Sequence, residues 1–233
     1  MRIIGSLLLI VVLTVSCSRA QSTKCDSSAW TKAQASRIKV LLEQEFALED
    51  LELLDSAITI NKAILAICPD FPPTLTTIAG LYGRLGKYNA EVEWARKAIT
   101  ADSTFINAYV NLANAYALLG NSEPARRTFE DAARINPKSP YPSYGLGVLA
   151  EGDSRLEDAF QYYQKSIAMD SSFTNGYYNA AMIKARMGEK RAALDYMERL
   201  LTITPSDTQV MGIIEHLKKD IEEDKSKPSH KKL

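Results

Sequence analysis

Between Ile38 and Ser206 the apolar residues fall in short helical runs separated by polar turns. Leu112, Ala113 and Tyr116 mark one run, and Ala125, Phe129 and Ala132 mark the next. Steps of three and four residues put each set on one face of a helix, so the pattern predicts a helix, a turn and a second helix. The unit recurs. Pro69, Ser103, Pro137, Ser171 and Pro205 are 34 residues apart each time, and each closes an apolar run. Gly86, Gly120 and Gly188 keep the same period, with Ser154 at the missing member and Gly152 two residues before it. Five copies of such a period predict stacked helical hairpins, each burying its apolar face against the next.

Small residues at Ala79, Ala113, Gly147 and Ala181 are expected to let the two helices of a hairpin approach, with Ala98 and Ala132 doing the same from the second helix. Pro137 and Pro205 separate hairpins, because proline lacks the donor that would continue a helix. Ser28 to Phe46 reads as one long first helix with Ser27 or Ser28 as its N-cap. Val210, Ile213, Ile214, Leu217 and Ile221 make one stripe, predicting a capping helix over residues 206–224. Residues 225–233 hold four Lys, Pro228 and no acidic residue, and read as a disordered tail.

These residues resemble the tetratricopeptide repeat. The segment from Ile106 to Ser139 is most similar, with Tyr109, Leu112-Ala113, Tyr116, Gly120, Ala125, Phe129, Ala132 and Pro137 at the family spacing. The resemblance implies an all-α, right-handed superhelical solenoid of about five hairpins over residues 28–205, followed by the cap. Three places depart from the family pattern. The first copy carries Gln44-Glu45 where a large and a small apolar residue are usual, and Leu51-Glu52 at the turn. Glu91 replaces the usual Ala of the second copy, leaving Ala90 to take the packing role. The fourth copy is expected to turn early, at Glu151-Gly152-Asp153.

The resemblance also implies that the first helices of successive hairpins line a concave groove, through family places 2, 5, 9 and 12 of each copy. Over the last four copies these sixteen places include one charged residue, Glu151, where an average of 24% charged residues would put about four. The second helices carry Arg126, Arg127, Glu130, Arg134, Lys165, Arg191, Asp195 and Arg199 instead, as a solvated convex face would. The Lys-then-Asn pair by which family members hold acidic chain ends is missing from places 5 and 9. Asn107, Val110, Asn111, Asn114, Tyr141, Tyr144, Asn175, Tyr178 and Met182 are the candidate partner-binding residues, since rings supply contact area and amides pair with an extended backbone. The expected partner is another protein or an extended peptide. A receptor or enzyme accessory holding a glycan or peptidoglycan fragment on the same tyrosines is the alternative.

Met1-Arg2 followed by the apolar stretch Ile3–Val15 reads as a secretory signal. Thirteen helical residues cover about 20 Å, short of a hydrocarbon core roughly 30 Å thick. Leu13-Thr14-Val15-Ser16-Cys17 resembles a bacterial lipobox, so residues 1–16 are expected to be removed, Cys17 lipidated and residues 17–27 left as a tether; cleavage after Ala20 is the alternative. Either route leaves Cys25 and Cys68, an even pair in an exported protein and a candidate disulfide. The chain has no Asn-x-Ser/Thr sequon. Together these features predict a bacterial envelope protein, an outer-membrane lipoprotein facing the periplasm or a soluble periplasmic form, that meets the membrane through its lipid.

Composition narrows the chemistry. Lys and Arg number 28 against 28 Asp and Glu, so no net positive field steers the chain to nucleic acid. Three Cys and two His make no zinc framework, and no metal or cofactor is expected. Gly80 and Gly86-Lys87 stand one residue too far apart for a phosphate-binding loop, and Gly145-x-Gly147 lies inside a helical run rather than after a strand. His216 sits in the predicted cap with no nucleophile beside it, and Glu222-Glu223-Asp224 are consecutive and diverge around a helix. The sequence thus predicts a binding protein rather than an enzyme.

Overall fold

A computed structural model describes residues 30–226, and every regular element among them is an α-helix. The order is α1 (Lys32–Asp50), α2 (Leu54–Ile67), α3 (Pro72–Arg84), α4 (Tyr88–Ala101), α5 (Ile106–Leu118), α6 (Ser122–Ile135), α7 (Pro140–Gly152), α8 (Leu156–Met169), α9 (Thr174–Arg186), α10 (Lys190–Ile203) and α11 (Thr208–Ser226). The first ten pair into five antiparallel hairpins, each packed on its neighbour, and α11 packs on α10. The predicted all-α solenoid is therefore the observed architecture.

Helix α1 begins later than the sequence suggests. Thr31 is its N-cap: the Thr31 hydroxyl accepts the Gln34 N–H at 3.2 Å, while Gln34 Oε1 accepts the Thr31 N–H at 3.0 Å. That reciprocal pair satisfies two donors at once and fixes the start at Lys32, past Ser27 and Ser28. The helix then runs on to Asp50, beyond the expected Phe46.

One turn design serves all five hairpins. Glu52, Gly86, Gly120, Ser154 and Gly188, each 34 residues from the next, all have positive φ, between 55° and 81°. The residue after each donates its N–H to the carbonyl five residues back, as in Leu53 to Leu48, Lys87 to Tyr82 and Arg155 to Ala150, at 2.8–2.9 Å. This closes the last turn of the first helix and reverses the chain. The design holds even where glycine is absent. Two expectations are corrected by it: the first copy is a regular hairpin, with Glu52 in the left-handed position, and the fourth does not turn early, because Gly152 stays helical and Ser154 makes the reversal.

Between hairpins, Asp102, Asn136 and Asp170 accept the N–H two residues on, at 2.8, 3.1 and 2.9 Å, a local bond that ends the second helix. Cys68 holds the corresponding place in the first copy. It is fully buried and disulfide-bonded.

The core repeats with the hairpins. Ala79, Ala95, Ala98, Ala113, Ala125, Ala132 and Ala181 are at most 1% exposed, and larger side chains such as Ile78, Phe129 and Met197 fill the space beside them. Burying one such large side chain contributes roughly 1.5–3 kcal/mol. Val210, Ile214 and Leu217 of α11 cover Tyr177, Ala181, Met197 and Leu200, the face the last hairpin would otherwise expose. Lys190 pairs with Asp220 and Asp224 at 3.5 and 2.6 Å, and Lys218 with Glu198 at 2.8 Å, across the same interface. The cap thus starts at Thr208 and takes in Lys225 and Ser226, two residues assigned to the tail by sequence. Cys17, Cys25, both candidate cleavage sites and residues 227–233 lie outside the described residues. Among the described residues no helix is long and apolar enough to cross a membrane.

Candidate functional site

Successive first helices touch along one side of the solenoid, α3 against α5 and α5 against α7. They enclose a cavity of about 880 Å³. Asn107, Val110, Asn111, Asn114 and Tyr141, five of the residues chosen from sequence, line it together with Pro73, Thr76 and Val148. Asn111 is anchored by donating from Nδ2 to the Thr76 carbonyl at 3.1 Å, across the hairpin boundary. Tyr141 is half-exposed, its ring set edge-on to Phe173 at 5.3 Å. The Thr76 hydroxyl is buried and has no hydrogen-bond partner among the described residues.

Tyr178 and Met182 belong to a second cavity of about 490 Å³, closed on its far side by Gln209, Ile213 and His216 of the cap. Its walls are mostly apolar. His216 is exposed there, 3.8 Å from Asp220 Oδ1, with no nucleophile in that lining.

Tyr144 and Asn175 are brought to neither cavity. The Tyr144 ring packs 5.5 Å from Phe173 and 5.6 Å from Tyr163, and its hydroxyl accepts from Asn179 Nδ2 at 3.2 Å. Burial raises its phenol pKa. It joins two hairpins more than it faces a partner. Asn175 is exposed on the first turn of α9. What the family places presented as one stripe is thus a large cavity of mixed amide and apolar lining and a smaller, more apolar one, with a packed tyrosine beside them.

The charge of the groove also differs from expectation. Glu151 is bound on two sides, by Arg186 Nη1 at 2.6 Å and by the Tyr163 hydroxyl at 2.8 Å. Glu49 and Arg84 pair at 2.5 Å on the rim of the large cavity. Glu91, not singled out as a site residue, lines that cavity at 4% exposure. It keeps the packing place, contrary to the expected substitution by Ala90, because Gly83 stands opposite: a Cβ on Gly83 would lie 2.6 Å from Glu91 Oε2. Burial pushes its carboxyl up to about 7, and Oε2 has no hydrogen-bond partner among the described residues. The combination of Glu91 with Gly83 was the available signal, a large side chain facing a residue with none. Glu45 is a second buried acid, raised to about 7 by burial and by neighbouring Glu49, and it stands where later copies have Ala or Gly. No group of three or more His, Cys, Asp or Glu able to hold a metal occurs among the described residues.

Comparison with known proteins agrees with this architecture. The model described as tetratricopeptide repeat matches residues 72–105, 106–139 and 174–207, which are the second, third and fifth hairpins. The chain is 26% identical over 155 residues to anaphase-promoting complex subunit 3 of Schizosaccharomyces pombe, covering 65% of this chain and spanning 23% of that protein's length. Among solved structures, a thermophilic TPR protein of Thermus thermophilus superposes with a TM-score of 0.69 at 20% identity, over 77% of this chain and 98% of its own. PilF of Pseudomonas aeruginosa gives 0.66 at 15% identity, over 83% and 88%. Three of the five hairpins thus match the tetratricopeptide repeat, a family whose members are generally protein-interaction adaptors.

Proposed function

We propose that this protein is a non-catalytic adaptor that holds an extended segment of another protein in the cavity between α3, α5 and α7. The observation that carries the reading is the cavity itself: about 880 Å³, open along the solenoid and lined by Asn107 and Asn114, whose exposed amides can pair with a peptide backbone. Its volume falls in the range of ligand sites, and amides set among apolar side chains suit a peptide, which brings both a main chain and side chains.

The same proposal sets the adaptor in a bacterial envelope, anchored by lipid on Cys17 with residues 17–27 as the tether and the partner segment on the periplasmic side. Its support is the apolar segment Ile3–Val15 ending at Cys17. Replacing Val110 and Asn114 together by Arg fills the cavity with two bulky cations and should abolish partner binding. Replacing Arg127 and Lys165 of the second helices by Ala should leave it intact. Loss from the second pair and retention by the first would move the site to the convex face.

A further inference from the structure

We infer that Glu91 receives a Lys or Arg side chain from the bound segment, completing a charge pair that the solenoid supplies internally at two equivalent points. The inference rests on the reading of the large cavity as a peptide site.

Three hairpins carry a carboxyl at the same locus, the end of the first helix facing the groove. In the first and fourth hairpins it comes from Glu49 and Glu151. In the second the corresponding residue is Gly83, and the Glu91 carboxyl reaches over from α4 into the space a Gly83 side chain would take, with Oε1, Oε2 and the carboxyl carbon all within 2.9 Å of a Cβ built there. Each of the first two acids meets an arginine 35 residues further on: Arg84 for Glu49 at 2.5 Å and Arg186 for Glu151 at 2.6 Å. Advancing 35 residues from Gly83 leads to Leu118, which is 60% exposed and lines the same cavity as Glu91. The other donor to Glu151, Tyr163, corresponds to Ala95 in the second hairpin. Both groups that satisfy the acid elsewhere are thus apolar here.

The charges around Glu91 are otherwise engaged. Arg84 on α3 is held by Glu49, and Lys87 at the start of α4 lies 3.5 Å from Asp55. The face that α5 turns to the cavity carries Asn111, Asn114 and Leu118 and no charge. A buried carboxyl with a polar oxygen left unpaired is costly, and a cation delivered with its own hydrogen bonds removes that cost. The cavity has room for such a side chain, and the neighbouring amides suit the backbone that would carry it. A single carboxyl does not hold a metal ion, whereas one carboxyl is the ordinary receptor for one guanidinium or ammonium group.

The test uses the full chain and a degenerate ten-residue peptide library. Peptides selected by the wild type should carry Lys or Arg at one fixed position. One selected sequence is then synthesised with Arg and with citrulline, its neutral isostere, at that position. Citrulline should weaken binding to the wild type by at least about tenfold and leave binding to Glu91→Gln nearly unchanged. Leu118→Arg, at an exposed place on the cavity wall, supplies the cation internally; whatever it does to overall affinity, it should bring the ratio of Arg-peptide to citrulline-peptide binding close to one. Selection of peptides with no basic preference, or an equal citrulline effect on wild type and Glu91→Gln, overturns the inference while the peptide groove stands. Selected peptides that still bind when Val110 and Asn114 are both Arg, or a library that yields no binder, overturn the groove and this inference with it.

Discussion

Arg186 Nη1 lies 2.6 Å from Glu151 Oε1 across the boundary between the fourth and fifth hairpins, and Arg84 makes the same contact to Glu49 between the first and second. Both pairs are about a third to a half exposed, so each contributes modestly to the nearest-neighbour coupling that holds a repeat array together. Replacing Arg186 by Leu reproduces the arrangement seen at Leu118. Denaturant melts should show a loss of roughly 0.5–1 kcal/mol, nearly absent when Glu151 is already Gln.

Glu91 makes stability depend on pH. Its carboxyl is raised from 4.5 in the unfolded chain to about 7 when folded, so the folded state holds the proton more tightly. The stabilisation this represents is complete below pH 4.5 and disappears as pH rises through about 7. Glu91→Gln removes the titrating group and keeps the shape. At pH 8 the variant should be more stable than wild type by roughly 1–3 kcal/mol, and at about pH 4.5 nearly equal to it. Glu45 titrates in the same window and leaves a residual slope in the variant. Urea midpoints at the two pH values measure the difference.

Glu52 and Ser154 adopt left-handed backbone that glycine holds at the three equivalent turns, with φ of 55° and 60°. A side chain there costs about 1 kcal/mol, partly offset because glycine adds freedom to the unfolded chain. Glu52→Gly and Ser154→Gly should each raise stability by roughly 0.5–1 kcal/mol, and the two gains should add in thermal melts, since the turns belong to different hairpins.

The N-terminal chemistry is readable by mass. Cys68 is disulfide-bonded and lies three residues before Phe71, whose ring meets Trp30 edge-on at 5.3 Å. Cys25 precedes Trp30 by five residues, a reach of at most about 18 Å. We propose the Cys25–Cys68 pair, and expect non-reducing peptide mapping of protein from the envelope to recover it, with the mature chain starting at an acylated Cys17. Two free thiols, or an unmodified chain starting at Gln21, would refute these two proposals in turn.

The period of 34 makes the scaffold legible because packing, turn and break each recur at a fixed offset. The turn carries more information than its glycines, since Glu52 and Ser154 fill the same geometry; side-chain identity alone suggests an irregular first copy and an early fourth turn. The site is less legible. Asn107, Val110, Asn111, Asn114 and Tyr141 do meet in one cavity, because α5 and α7 repeat the same helical face. Tyr144 occupies an equivalent place yet packs against Phe173 and Tyr163; Phe173 stands 34 residues after Ser139, so a ring meets Tyr144 where the third hairpin offers Val110 only a serine. Glu91 escapes notice as a site residue because its burial depends on Gly83, a contact between helices that no single-helix pattern contains.

The claim that the groove between α3, α5 and α7 binds an extended polypeptide is tested most directly by a photo-crosslinking residue placed at Asn114, inside the large cavity, or at Arg127, on the outer face of α6, in cells that make the protein. A peptide-binding groove predicts a crosslink from position 114 to one continuous stretch of a single partner protein, and none to that partner from position 127. A crosslink from position 127 alone, or a glycan as the adduct at position 114, would contradict it.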